Sequence, residues 1–218
     1  MNSVCVLGLG RFGQTLALEL SKENCQVMII DENEDIVSEL ADSVTNAVIG
    51  NPASETLLKA SGIKDYDCVV VCMDNNMDDS IFVTLTLKEL GIKKIVARAE
   101  SIKHKRVLEK IGADVVVFPE QDMGERLAHT LTKNNVLEYI DLSDDYSIVE
   151  VKVPDKWIGK SIIDLEIRKK YHVTVIAVSN PIKGTKDISP MASRVFEKDE
   201  NVALLGSETD IDTVMNRI

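Results

Sequence analysis

The stretch Val4-Cys5-Val6-Leu7-Gly8-Leu9-Gly10-Arg11-Phe12-Gly13 (VCVLGLGRFG, residues 4–13) decides the fold. A short apolar run enters a glycine-rich turn, and helical spacing starts directly after it, with Phe12, Leu16 and Leu20 on one face. In this setting each glycine has a task. Gly8 permits the tight turn, Gly10 lets the backbone approach a pyrophosphate, and Gly13 lets the helix pack closely on the strand. The helix N-terminus adds free N–H groups and positive dipole. The second apolar run, QVMIID, ends in Asp31, 23 residues after Gly8. An acid at that spacing hydrogen-bonds ribose hydroxyls and disfavours a 2′-phosphate, so NAD or an adenine nucleotide is expected over NADP.

Outward from this stretch the same rhythm repeats as far as about Pro119. NAVIGN, DCVVVCM, KIVARA and DVVVFP are continuous apolar runs, the pattern of parallel strands covered on both faces by helices. Helical spacing joins Ile36, Leu40 and Val44, and again Val107, Leu108 and Ile111, while Gly62 and Gly91 mark helix stops. The expected fold is α/β: a doubly wound Rossmann-type parallel sheet of six strands, with its ligand at the carboxyl ends where strand order reverses. SIFVTLTLKELG is unusually apolar for a surface helix. It reads either as a helix buried on the sheet or as one with a side that meets another subunit.

Arg11 sits inside the loop, where a guanidinium could reach the terminal phosphates of ATP or ADP; it also reads as a solvated first-turn arginine. Strand ends supply further candidates: Glu32 beside Asp31, Asn51 after the third strand, Met73-Asp74 after the fourth, and Arg98 at the fifth. Glu120 follows the sixth. Each of these reads equally as a turn or helix-start residue. No Tyr-x-x-x-Lys pair, GxSxG, HExxH or GxxxxGK[ST] is present. A nucleotide site without reaction machinery points to a sensor and not an enzyme.

After Pro119, EQDMGERLAHTLTKNN reads as one helix with Met123, Leu127 and Leu131 in a stripe. DLSDDYS reads as a linker. IVEVKV alternates, with Val149, Val151 and Val153 opposite Glu150 and Lys152, as a half-buried antiparallel strand does. VTVIAV and NVALLG add strands, and a closing helix follows Ser207 as N-cap. The tail is therefore a small α+β module.

Composition narrows the class. The chain has 218 residues and a net charge of −11, which disfavours nucleic acid and anionic membrane surfaces as partners. No signal peptide is recognisable, and no run approaches the roughly 18 apolar residues of a membrane helix, so work at a membrane would need a partner. Cys5, Cys25, Cys68 and Cys72 form no CxxC pair and do not group with His104, His129 or His172. Buried reduced thiols in a cytosolic protein are expected, and no zinc site.

VLGLGRFGQTLALEL, Asp31, LKELGI, VLEKIGAD, FPEQDMGERLA and NNVLEYIDLSDDYSIVEV together resemble the RCK (regulator of potassium conductance) family, in particular the TrkA-like cytosolic subunits of bacterial potassium uptake systems. The resemblance spans essentially the whole chain. It implies an N-terminal RCK domain over 1–138 and a C-terminal RCK domain over 139–218. It implies ATP and ADP as competing ligands on Gly8, Gly10, Arg11, Phe12, Gly13, Asp31, Glu32, Asn51, Met73 and Arg98. It implies a homodimer that assembles into an octameric ring on a membrane-embedded potassium translocation subunit of the KtrB, KtrD or TrkH type. That would place the protein in the cytoplasm, held peripherally at the inner face of the membrane. Glu120 would lie at the dimer interface, where a carboxylate could help hold Mg²⁺ or Ca²⁺ against the phosphates. Ile162, Ile163, Arg168 and Pro190 fit the family's cyclic di-AMP pattern, with Glu166 where an Asp is usual and Thr174 where an Asn is usual. Asn51 stands where many relatives have Asp. The rival readings are an NAD-dependent oxidoreductase, an NAD(H)-sensing redox regulator, and a scaffold whose nucleotide is structural.

Overall fold

The computed structural model describes residues 2–73, 76–132, 136–143 and 145–217. Two compact units divide the chain, Met1–Glu120 and Gln121–Ile218.

In the first unit, six strands alternate with helices: β1 (Ser3–Leu7), α1 (Arg11–Lys22), β2 (Gln26–Asp31), α2 (Glu34–Leu40), β3 (Asn46–Ile49), α3 (Glu55–Ala60), β4 (Cys68–Val71), α4 (Met77–Glu89), β5 (Ile95–Arg98), α5 (Ile102–Ile111) and β6 (Val115–Val117). All pairings are parallel, in the order β3-β2-β1-β4-β5-β6. The order reverses between β1 and β4, which opens a crevice at their carboxyl ends. The apolar runs are continuous because both faces of the sheet are covered. Val4, Val6, Val27, Ile29 and Val70 join the core on one side. Cys5, Leu7, Met28, Ile30, Val69 and Val71 join the core on the other.

α4 buries Ser80, Val83, Thr84 and Leu87 against this unit, while Phe82 and Leu85 stand exposed, so its apolar character serves packing on one face only. Gly62 and Gly91 take the left-handed conformation expected of helix stops. Val44 corrects the reading of the second helix. α2 ends at Leu40 and tightens into a 3-10 turn, so Val44 is extended backbone beyond the helix and still packs partly into the core. Cys5, Cys68 and Cys72 are buried and Cys25 is half-buried. Burial pushes the Cys5 and Cys68 thiols up, away from the reactive thiolate.

The second unit holds most of α6 (Pro119–Thr132), then β7 (Val136–Asp141), β8 (Tyr146–Lys152), α7 (Ile167–Tyr171), β9 (Thr174–Asn180), β10 (Thr185–Ile188), β11 (Asn201–Ser207) and α8 (Glu208–Arg217). Its sheet is antiparallel, ordered β10-β9-β11-β8-β7. Val149, Val151 and Val153 point into a core with Trp157, Phe196, Val202, Leu204, Ile211 and Val214. The Trp157 and Phe196 rings pack at 5.4 Å between centroids. The Ser207 hydroxyl accepts from the Asp210 N–H at 3.2 Å, capping α8. Glu200 is nearly fully buried, and its carboxylate accepts from Arg194 at 2.6 Å and from the Glu197 N–H at 2.8 Å. That pairing is what permits a charge at this depth.

DLSDDYS is not a linker. Asp141 ends β7 and Tyr146 opens β8 of an antiparallel hairpin, with Tyr139 opposite Val149 and the Leu142 N–H donating to the Tyr146 carbonyl at 2.9 Å. The preceding strand, VLEYID, escapes a sequence reading because its polar turn resembles an interdomain connection.

Gly13 leaves no room for a side chain. A Cβ there would lie 2.1 Å from the Gly8 carbonyl oxygen. Gly13→Ala is expected to cost at least about 2 kcal/mol, lowering the thermal midpoint by several degrees in a melting experiment; an unchanged midpoint would show that α1 does not rest on this contact.

Candidate nucleotide-binding site

The crevice at the β1–β4 switch is a cavity of about 190 Å³ lined by Gly8, Leu9, Gly10, Asp31, Glu32, Asn51, Pro52, Met73, Asn76 and Asp79. Gly8 makes the turn out of β1 at φ +90°, and a Cβ there would meet the Cys72 carbonyl oxygen at 2.7 Å. Only glycine fits both restraints. Gly10 is the extended N-cap of α1, with no side chain capping the helix, so the first-turn N–H groups are offered to a ligand.

Asp31 ends β2 and turns back to the loop. One carboxylate oxygen accepts from the Leu9 N–H at 2.5 Å, and the other accepts from the Asn33 N–H at 2.8 Å. Glu32 is exposed at the rim. Asn51 both lines the cavity and accepts from the Ala53 N–H at 2.7 Å, so its turn role and its site role coexist.

Six of the ten expected nucleotide residues therefore share one cavity: Gly8, Gly10, Asp31, Glu32, Asn51 and Met73. Four do not line it. Gly13 acts from beneath, through helix packing. Phe12 packs against the core. Arg11 is exposed at the first position of α1. Arg98 is largely buried and donates to Glu120 at 2.5 Å. Asp74 lies outside the described residues, as do Lys133 at the end of the expected crossover helix and the side chain of His129. Leu9, Pro52, Asn76 and Asp79 line the cavity beyond the expected set. Asn76 and Asp79 carry a detectable cue, because Asn-x-x-Asp a few residues after an apolar strand is an N-capping pattern.

Glu120 lies in the first turn of α6, and its carboxyl is held below the usual carboxylate range, chiefly by the Arg98 hydrogen bond. Among the described residues no group of three or more His, Cys, Asp or Glu side chains is placed to hold a metal ion. No described helix is long and apolar enough to cross a membrane.

In the second unit, the segment around Ile162 and Ile163 runs beside the loop after β10. The Ile162 N–H donates to the Arg194 carbonyl at 3.0 Å, and the Ile163 N–H donates to the Ala192 carbonyl at 2.9 Å. Ile163 is exposed, Pro190 is half-buried, and Arg168 donates to the Thr174 hydroxyl at 3.4 Å. Glu166 adopts φ +47° and pairs with Lys169 at 2.9 Å. The sheet face opposite the core carries Ile140, Ile148, Ile176, Ile188 and Ala203 around an open groove of about 600 Å³, with Glu138, Glu150 and Lys186 among its lining residues.

Comparison with known proteins places these features in context. The TrkA-N domain family matches residues 4–119, and the TrkA-C domain family matches residues 147–218. The chain is similar to Ktr system potassium uptake protein C of Bacillus subtilis (strain 168), 41% identical over 98% of this chain and 96% of that one. It is similar to Ktr system potassium uptake protein A of the same organism, 41% identical over 97% and 94%. Among solved structures, the AMP-bound C-terminal domain of Kef from Shewanella denitrificans matches 61% of this chain and 83% of its own, at 28% identity and a TM-score of 0.53. The GsuK structure bound to ADP matches 60% of this chain and 34% of its own, also at 28% identity and a TM-score of 0.53.

The Arg98–Glu120 pair gives a titration. A carboxyl with a depressed folded-state pKa contributes stability above its unfolded value, and that contribution is lost as pH falls through the folded value. In Arg98→Ala, the Glu120 carboxyl is expected to titrate higher by carbon-detected NMR, back toward the ordinary value of about 4.3. An unshifted titration would remove Arg98 as the cause.

Proposed function

This chain belongs to the RCK family of TrkA-N and TrkA-C domain proteins and is a homologue of the Ktr potassium uptake proteins; from that premise we propose that it is the nucleotide-sensing regulatory subunit of a potassium transporter. The carrying observation is the cavity at the β1–β4 switch. The uncapped N-terminus of α1 at Gly10 brings free backbone N–H groups to it, and the Asp31 carboxylate, suited to ribose, lines it beside the glycine loop. ATP and ADP compete for this cavity, and their exchange shifts the population between two conformations of the assembly. Such a shift requires the two ligands to differ in free energy between those conformations.

The γ-phosphate is the difference to be read. Arg11, at the start of α1, is the cation placed to swing toward it. Arg98 and Glu120 stand near the next strand ends. A Mg²⁺ or Ca²⁺ ion at Glu120 would have to draw the carboxylate from Arg98, so the ion pair acts as the resting partner of that acid. The domains divide as 1–138 and 139–218, with α6 leading from one to the other. Homodimers assemble into an octameric ring that docks on a membrane-embedded translocation subunit from the cytoplasmic side. Ion passage belongs to that partner. The exposed stripe of Met123, Leu127 and Leu131 on α6 and the open apolar sheet face of the second unit are surfaces of the kind that assembly would cover. Cyclic di-AMP occupies the second unit at Ile162, Ile163, Arg168 and Pro190.

Calorimetric titration of nucleotide-stripped protein with ATP, ADP, NADH and cyclic di-AMP, with and without Mg²⁺ or Ca²⁺, tests the reading. ATP and ADP are expected to bind at one site per chain, with the cation strengthening ATP. Arg11→Ala is expected to bring the two affinities within about threefold of each other, the loss of one charge-assisted contact. Preferential binding of NADH would turn the assignment toward a redox sensor, and full ATP/ADP discrimination in the variant would remove Arg11 from the role.

A further inference from the structure

The nucleotide cavity is acidic. Three carboxylates line it, Asp31, Glu32 and Asp79, and no lysine or arginine is among its described lining residues. Asp31 and Glu32 lie together at the end of β2, where the ribose is expected. Asp79 comes from a different element, the first turn of α4 beyond β4. With the phosphates at Gly8–Gly10 and the ribose at Asp31, the base is left with Asn51 and Pro52 on the β3 side and with Met73, Asn76 and Asp79 on the β4 side.

Pro52 and Met73 supply apolar surface suited to the faces of a purine. Asn76 and Asp79 supply the polar groups suited to its edge. Asp79 is held in place: its N–H donates to Asn76 Oδ1 at 3.2 Å, and the Asn76 amide donates to its carboxylate. A carboxylate offers about four acceptor sites on two oxygens and no donor, so one bond from Asn76 leaves it able to accept from a ligand.

We infer that Asp79, oriented by Asn76, reads the 6-amino group of adenine and sets the base specificity of the cavity. This rests on the adenine-nucleotide reading above. The amino group is the only hydrogen-bond donor on adenine's Watson–Crick and Hoogsteen edges, and an acceptor-only partner can pair with it alone. The oxygen that replaces it in hypoxanthine or guanine would face a negative charge in a half-buried corner. A site built to receive a donor discriminates strongly against an analogue that lacks it.

The test uses the full-length protein and compares ATP with purine riboside triphosphate, which lacks only the 6-amino group, and with inosine triphosphate. Wild type is expected to prefer ATP over both by roughly tenfold or more, the range of a hydrogen bond to a charged group. Asp79→Ala is expected to weaken ATP and bring the three ligands within about threefold of one another. Asp79→Asn keeps the Asn76 contact, removes the charge, and should fall between. Circular dichroism and thermal melting establish that each variant is folded. If Asp79→Ala keeps the wild-type preference, or if wild type binds ATP without any preference, the base-edge assignment is overturned while the nucleotide site stands. If wild type binds none of the three, the nucleotide reading itself fails and the assignment falls with it.

Discussion

The close approach of Gly13 to the Gly8 carbonyl is the constraint on which the first unit depends. With no side chain at either position, α1 seats directly on the end of β1, and its N-terminus faces the gap between β1 and β4. The same turn brings Gly8 against the Cys72 carbonyl at the end of β4. One short loop thus ties together the first strand, the first helix and the strand across the switch point. The cavity exists because these three elements are held at backbone distance, which leaves the uncapped amide groups of the α1 N-terminus beside it.

Much of this was legible in the sequence because it is encoded locally. Continuous apolar runs marked the six parallel strands, the alternation of Val149, Val151 and Val153 marked an antiparallel one, and the glycine spacing located the loop. Asp31 was found by its distance from Gly8. The parts that were not legible depend on partners distant in the chain. β7 needs β8 to become a strand, since VLEYID followed by a polar turn has no distinctive pattern of its own. α7 and β10 are too short to carry a period. Asp79 enters the cavity only because α4 begins beside it. Arg11 and Arg98 show the converse: the right residue types at suggestive positions, one exposed at a helix start and the other engaged by Glu120.

The two units handle charge differently. The first leaves a carboxylate-rich cavity beside the uncapped N-terminus of α1, with no lysine or arginine among its described lining residues. The second neutralises charge internally. Glu200 is buried against Arg194, and Glu166 is tied to Lys169 and Lys170 at the start of a five-residue helix. Glu166 and His172, both with positive φ, bracket that helix. Non-glycine residues rarely take this conformation, and the surrounding core, through Ile167 and Val173, holds the chain in it.

Asp31 already accepts two backbone N–H bonds, one from Leu9 in the glycine loop and one from Asn33 at the N-cap of α2. The carboxylate proposed to meet a ribose is thus a tie between two loops and has a fixed direction before any ligand arrives. Little side-chain entropy remains to be lost on binding, which favours affinity. The reverse also follows. A sugar hydroxyl must share an acceptor that the fold itself uses, so ligand occupancy and the firmness of the loop are linked through a single side chain. Rigidity of the glycine loop becomes a quantity that the ligand can change, and a change at the loop reaches the N-termini of both α1 and α2 together.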